Sequence, residues 1–188
     1  LPEGGDLIVT SKGLGAKGLA FMDVPENAGN VYLDAARHLA SGGLIARLRE
    51  IQATGRFGLD PDTPVYLVAE LYGQGIQDLG YGARTPEVRA FDVFVGKPQQ
   101  GRYLDPHEKA DLLAAAGIQQ VPVLHEGPWD RAHADALRDG ETTLGAGHIR
   151  EGVVITPMTG RRDDRFGRVA LKHVSDAYLT RQGGTEYA

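Results

Sequence analysis

Three charged residues sit in this sequence where a charge needs explaining. Glu70 closes the apolar run VYLVAE, Glu151 opens EGVVI, and Lys172 lies inside RVALKHV. A carboxylate set against a buried run has to find an opposite charge, a metal ion or water. Taken singly, either glutamate is explained by a salt bridge to one of the many arginines, and Lys172 by a stem lying on apolar surface with its ammonium in water. Taken together, two strand-terminal carboxylates and a strand lysine can line one cleft. There the carboxylates hold a divalent cation and the lysine meets a phosphate. That layout handles nucleotides.

Other catalytic patterns are missing. SKGLGAKG, from Ser11 to Gly18, places glycines and lysines after an apolar run, but it is neither a G-x-x-x-x-G-K-[ST] nor a G-x-G-x-x-G loop. The six histidines include no H-E-x-x-H pair, and His133 with Asp135 reads as polar decoration of a helix rather than a zinc site. No G-x-S-x-G elbow offers a serine nucleophile.

The elements that must position these residues are short. Leu7 to Val9, Val65 to Ala69, Val88 to Val95, Val153 to Thr156 and Val169 to Leu171 read as buried strands. Val31 to Arg49 has helical spacing, and Gly42–Gly43 in its middle predicts a division into two helices. DPHEKADLLAAAG is the clearest helix, with Asp105 as N-cap, Pro106 at the first position, Glu108 closing a capping box and Gly117 as the stop. A further helix is expected from Trp129 to Arg138, stopped by Gly140, and a last one after Ser175. Hairpin-like connections with few strict βαβ alternations favour an α+β domain with mainly antiparallel sheet.

Composition sets the outer bounds. The 188 residues, 41% of them hydrophobic, can bury a real core and are expected to form one domain, residues 1–188. With no cysteine, there is neither a disulfide framework nor a thiolate metal site, so the reducing cytoplasm is the expected compartment. The first residues, LPEGGDLIV, do not read as a signal peptide, no apolar run reaches membrane-spanning length, and no membrane partner is expected. A net charge of −5 argues against indiscriminate coating of nucleic acid, so any such contact should be local. The one concentrated cationic stretch is Arg161, Arg162, Arg165, Arg168 and Lys172, interrupted by Asp163 and Asp164; a solvated loop explains it equally well.

The order of segments adds more. ELYGQGIQDLGYG, FDVFVG, VPVLHEGPW, HIREGVVI and LKHVSDAYLTRQGGTEY in succession resemble the ATP-dependent RNA ligase family of covalent nucleotidyltransferases over nearly the whole chain. Glu70 with Gly73 matches the family's motif III, Phe91 motif IIIa, Glu151 with Gly152 motif IV, and Lys172 motif V. SKGLGAKG resembles the segment after motif I. The resemblance implies an ATP-grasp-like ligase fold, with antiparallel sheets and flanking helices around an ATP cleft. It also implies three steps using ATP and Mg2+: adenylylation of a lysine, transfer of AMP to an RNA 5'-phosphate, and sealing by a 3'-hydroxyl, as in RNA repair. Within that resemblance Phe91 stacks on adenine. Glu70 engages the ribose or a metal-bound water, Glu151 helps place the magnesium ion, Lys172 meets the α-phosphate, and Lys12 reaches a phosphate or ribose from the opposite wall.

Two departures matter. The motif I pattern, Lys-x-[Asp/His]-Gly, is supplied by neither Lys12 in KGLG nor Lys17 in KGLA, and its expected place is upstream of Leu1, which makes the domain N-terminally truncated relative to the family. Motif V commonly carries two lysines spaced by one residue. Here Ala170 and Val174 flank Lys172, which leaves Arg168 as a possible source of the missing charge. The alternatives are a DNA ligase or capping-type nucleotidyltransferase, and a noncatalytic module that binds nucleotide or RNA ends.

Overall fold

The computed structural model describes residues 7–145 and 147–181. The QGGTEY end of the last matched segment and the first residues, LPEGGD, lie outside them.

Two long strands organise the first part of the chain. β1 (Val65–Tyr72) and β2 (Glu87–Val95) pair antiparallel, and the short β3 (Arg102–Tyr103) extends the sheet in the order β1-β2-β3. Leu67 and Val65 stand opposite Val93 and Val95, so alternation turns these apolar residues onto one face. Of the three helices that follow, the last two cover that face. α2 (Val31–Ser41) and α3 (Leu44–Ala53) arise from the one expected helical stretch, divided at Gly42–Gly43, with Gly43 at φ +87°. α4 (Pro106–Ala116) begins and ends as its sequence predicts: Glu108 accepts the Asp105 N–H at 3.1 Å, and Gly117 closes the helix in the left-handed region. Leu44 and Ile51 of α3, Leu112, Leu113 and Ala116 of α4, and Ala90, Val93 and Val95 of β2 form one core together with Leu59, Leu104 and Ile118.

The strands of the second part are shorter than β1 and β2. β4 (Gly152–Ile155) pairs antiparallel with β7 (Leu171–Val174), and β5 (Arg162–Asp163) forms a hairpin with β6 (Gly167–Arg168). α5 (Arg131–Arg138), capped by Asp130, packs on β4 and β7. α6 (Asp176–Leu179) follows Ser175, which caps it as expected. Near the start, α1 (Lys12–Gly15) is a single turn. Among the described residues no helix is long and apolar enough to cross a membrane.

Two expected strands differ. Leu7–Val9 is not a strand: Ile8 is exposed, and among the described residues the one backbone bond made here runs from the Phe21 N–H to the Val9 carbonyl. Three apolar residues without a partner strand cannot form a ladder. Val169–Leu171 is displaced, because Val169 is used by the hairpin, donating to the Arg161 carbonyl, and the strand runs from Leu171 to Val174 instead. Trp129 lies outside α5, which starts two residues later.

Candidate nucleotide site

Glu151 and Lys172 meet. Gly152 and Val174 are opposed across the β4–β7 ladder, as are Val154 and Lys172, and the Lys172 ammonium lies 3.9 Å from Glu151 Oε2. The glycine after Glu151 is required there: Gly152 has φ +142°, and any Cβ would collide with the His173 carbonyl. Lys172 is 65% exposed and Glu151 28%, so the carboxylate is the half-buried partner and the ammonium stays open to a ligand. So open a pair contributes little to stability.

The other Glu151 oxygen is held by a residue that the sequence reading missed. Tyr81 donates its hydroxyl to Glu151 Oε1 at 3.2 Å. Its backbone sits at φ +50°, unusual for a non-glycine residue, and its N–H donates to His148 Nε2 at 3.0 Å. His148 Nε2 must therefore be the accepting nitrogen, which leaves Nδ1 to donate to the Ile149 carbonyl at 2.8 Å. The Tyr81 ring also packs edge-on against His148 and Tyr72. The sequence signal, a tyrosine between two glycines in GYG, becomes meaningful only once its backbone conformation is known.

Tyr72 carries the connection to β1 and β2. Its hydroxyl donates to Glu87 Oε2 at 2.7 Å and accepts from Arg89 Nε at 2.8 Å, while Arg89 also reaches the Gln120 carbonyl at 3.1 Å. Burial, then the hydrogen bond to Glu87, raises the Tyr72 pKa above the usual tyrosine value, so the phenol stays protonated. Glu70 stands opposite Arg89 in the ladder, two residues before Tyr72, exposed and inside β1 rather than at its end.

Phe91 is placed by an irregularity. Val68 pairs with Asp92 and Ala69 with Ala90, so Phe91 is the extra residue of a β-bulge. Its neighbours Ala90 and Asp92 are buried, whereas the ring of Phe91 is 40% exposed and absent from the core. Lys109 of α4 donates to the Phe91 carbonyl at 3.1 Å, satisfying a group the bulge takes out of the ladder. Burial holds the Lys109 ammonium below its ordinary pKa.

The first sheet is fastened to the β5–β6 hairpin beside this bulge. Asp92 forms a two-pronged ion pair with Arg168 of β6, whose guanidinium also lies 3.9 Å from the centre of the Tyr103 ring. Arg168 is thus committed to Asp92 and does not supply the charge missing from around Lys172. The Gly160 N–H donates to Asp105 Oδ1 at 2.5 Å nearby. Lys12 begins α1, exposed, and among the described residues no hydrogen bond or ion pair joins it to Glu70, Phe91, Glu151 or Lys172. The arrangement is thus an open aromatic ring on one sheet and a carboxylate–ammonium pair on the other, linked through Tyr72 and Tyr81.

The family model described as RNA ligase matches residues 18–174, most of the chain and every element named above except α1 and α6. The chain belongs to the RNA ligase family. Its α+β architecture is that of the family's solved members. Structures of the Naegleria gruberi RNA ligase match this family member at 21% identity, one with ATP and Mn at a TM-score of 0.60 and one with AMP and Mn at 0.61. A third, with PPi, matches at 0.59. Each match covers 86% of this chain and 42% of the other, so the chain spans less than half the length of those ligases. No curated protein matches the sequence.

Proposed function

We propose that this chain is the nucleotide-binding body of an ATP-dependent RNA ligase, which joins RNA 5'-phosphate and 3'-hydroxyl ends through lysyl-AMP and RNA-adenylate intermediates. The observation carrying this reading is the Glu151–Lys172 pair, brought together across β4–β7 and open to solvent on the lysine side. Phe91, lifted out of alternation by the bulge, stacks on adenine. Lys172 faces the α-phosphate and stabilises the charge that grows there in the transition state. Glu70 engages the ribose or a metal-bound water.

The residues fit a magnesium ion held chiefly by the nucleotide. Among the described residues no three His, Asp or Glu side chains converge to cage a metal, which suits a cation bound by one carboxylate, phosphates and water. Glu151 is that carboxylate, and Tyr81 orients it. When bound, the metal neutralises phosphate charge and orients the leaving group. Lys12 is retained as a contact from the opposite wall, on the family resemblance alone.

Covalent transfer needs a nucleophilic lysine in motif I context, which neither Lys12 nor Lys17 has. The described site therefore binds nucleotide without a lysine of this chain becoming adenylylated. The test is incubation with labelled ATP and magnesium, together with equilibrium binding of AMP. The reading expects magnesium-dependent AMP binding that weakens at least tenfold in Glu151→Gln, and no lysine-linked AMP on this chain. Stable labelling at Lys12 or Lys17, or indifference of nucleotide binding to Glu151→Gln, would contradict it.

A further inference from the structure

The β5–β6 hairpin is built as a projecting tip on a fixed base. At the base, Arg168 is tied to Asp92 of β2 and laid over Tyr103, and Val169 donates to the Arg161 carbonyl. At the tip, Asp163 Oδ1 accepts from the N–H groups of Arg165 at 2.9 Å and Phe166 at 3.3 Å, so this carboxylate is occupied in shaping the turn. What remains outward is unusual for a chain of net charge −5. Arg161, Arg162 and Arg165 are exposed and form no ion pair among the described residues, and Phe166 is 81% exposed, more than any other large apolar side chain described. An aromatic ring left in water at the end of a rigid turn loses stability and gains nothing in the folded chain. Beside three unpartnered guanidiniums it has the makings of a surface for a strand that carries both phosphates and flat bases.

We propose that the β5–β6 hairpin binds single-stranded RNA, with Arg161, Arg162 and Arg165 along its length on successive phosphates and an unpaired base stacked on Phe166 at its tip. This rests on the RNA ligase reading and adds to it a second contact region outside the nucleotide cleft. Asp164, also at the tip and exposed, opposes phosphate and limits the patch to a short segment. The base of the hairpin is joined to the strand that bears Phe91, so RNA held at the tip is tethered on the same rigid body as the nucleotide.

The arginines and the phenylalanine make separable contributions. Fluorescence anisotropy of a short labelled single-stranded RNA, titrated across a series of salt concentrations, reads both. Replacing all three arginines by alanine should flatten the slope of log K against log salt by about 2, at roughly 0.7 per lost phosphate contact. Phe166→Ala should leave the slope unchanged and weaken binding roughly 5- to 150-fold at every salt concentration. Phe166→Tyr should restore affinity, and none of these variants should alter AMP binding or melting temperature. Equal RNA binding by wild type and both variants overturns the proposal, as does a wild-type chain that binds AMP and no RNA, which leaves the nucleotide site standing. A chain that binds neither ligand overturns the ligase reading and this proposal with it.

Discussion

The two sheets that carry the candidate site are held in place by different physics. β1 and β2 are eight and nine residues long and lie on a core of leucines, isoleucines and valines shared with α3 and α4. β4 and β7 are four residues each, and their surroundings are fastened by charges and hydrogen bonds. His173 meets Asp135 of α5 at 2.7 Å, Ser175 donates to Asp139 at 2.8 Å, Arg168 grips Asp92, and Arg181 reaches Asp78 at 2.9 Å. Phe91 stands on the first support and Lys172 on the second. A base-stacking ring tolerates a rigid apolar platform, while a phosphate-binding lysine needs an open, polar rim. The two ends of one ligand would thus be gripped by regions with different sensitivities.

Deleting core volume should give the largest effect and should fall on the first region. Leu112 is fully buried in α4, and Leu112→Ala should cost about 2–5 kcal/mol of global stability by urea denaturation. A loss below 1 kcal/mol would mean that β2 is not held by this core.

The joint between the regions comes next. Asp92→Ala leaves the Arg168 guanidinium part-buried without its partner and should cost about 3 kcal/mol. Replacing both, as in Asp92→Ala with Arg168→Met, should recover much of that, since an apolar pair leaves no stranded charge. Additive losses in the double variant would show that the two residues are not coupled.

Acid should separate the regions more gently. The carboxyl pKa of Asp135 is lowered by the hydrogen bond to His173 and then by Arg131, and that of Asp139 by Ser175 and then by Arg138. Groups whose folded pKa lies below the ordinary aspartate value of 3.8 stabilise the fold above that pH and lose the contribution as pH falls through the depressed value. Glu108 is lowered too, first by Arg102, but α4 remains anchored by its buried leucines when that cap is protonated. Trp129, the one tryptophan, lies next to the N-cap of α5. Its fluorescence should therefore change on acidification, below about pH 4, before the far-ultraviolet circular dichroism does; coincident transitions would erase the distinction.

Much of the first region was legible because its signals are local. The capping residues of α4 and the Gly42–Gly43 break each act within a few positions of themselves, as does the Ser175 cap in the second region. The second region was less so. Val169 was expected in a strand that begins at Leu171, because the hairpin that takes it up depends on pairing between residues of low strand propensity. The candidate charges Glu151 and Lys172 could be picked out by type, each in an apolar setting. Tyr81, the bulge at Phe91 and the Asp92–Arg168 joint could not, since each depends on a partner distant in sequence or on a backbone angle. Lys12 shows the opposite case: its residue type fitted the resemblance, and among the described residues no hydrogen bond or ion pair joins it to the other candidates.

The central claim is that Phe91 and Lys172 grip opposite ends of one adenine nucleotide, and calorimetry on folded variants with adenosine and AMP tests it most directly. Phe91→Ala should weaken both ligands alike, by about 5- to 150-fold, as expected for loss of about 1–3 kcal/mol of stacking. Lys172→Ala should weaken AMP and leave adenosine nearly unchanged, because only AMP carries the phosphate. Equal loss for both ligands in Lys172→Ala, or none in Phe91→Ala, would contradict the account.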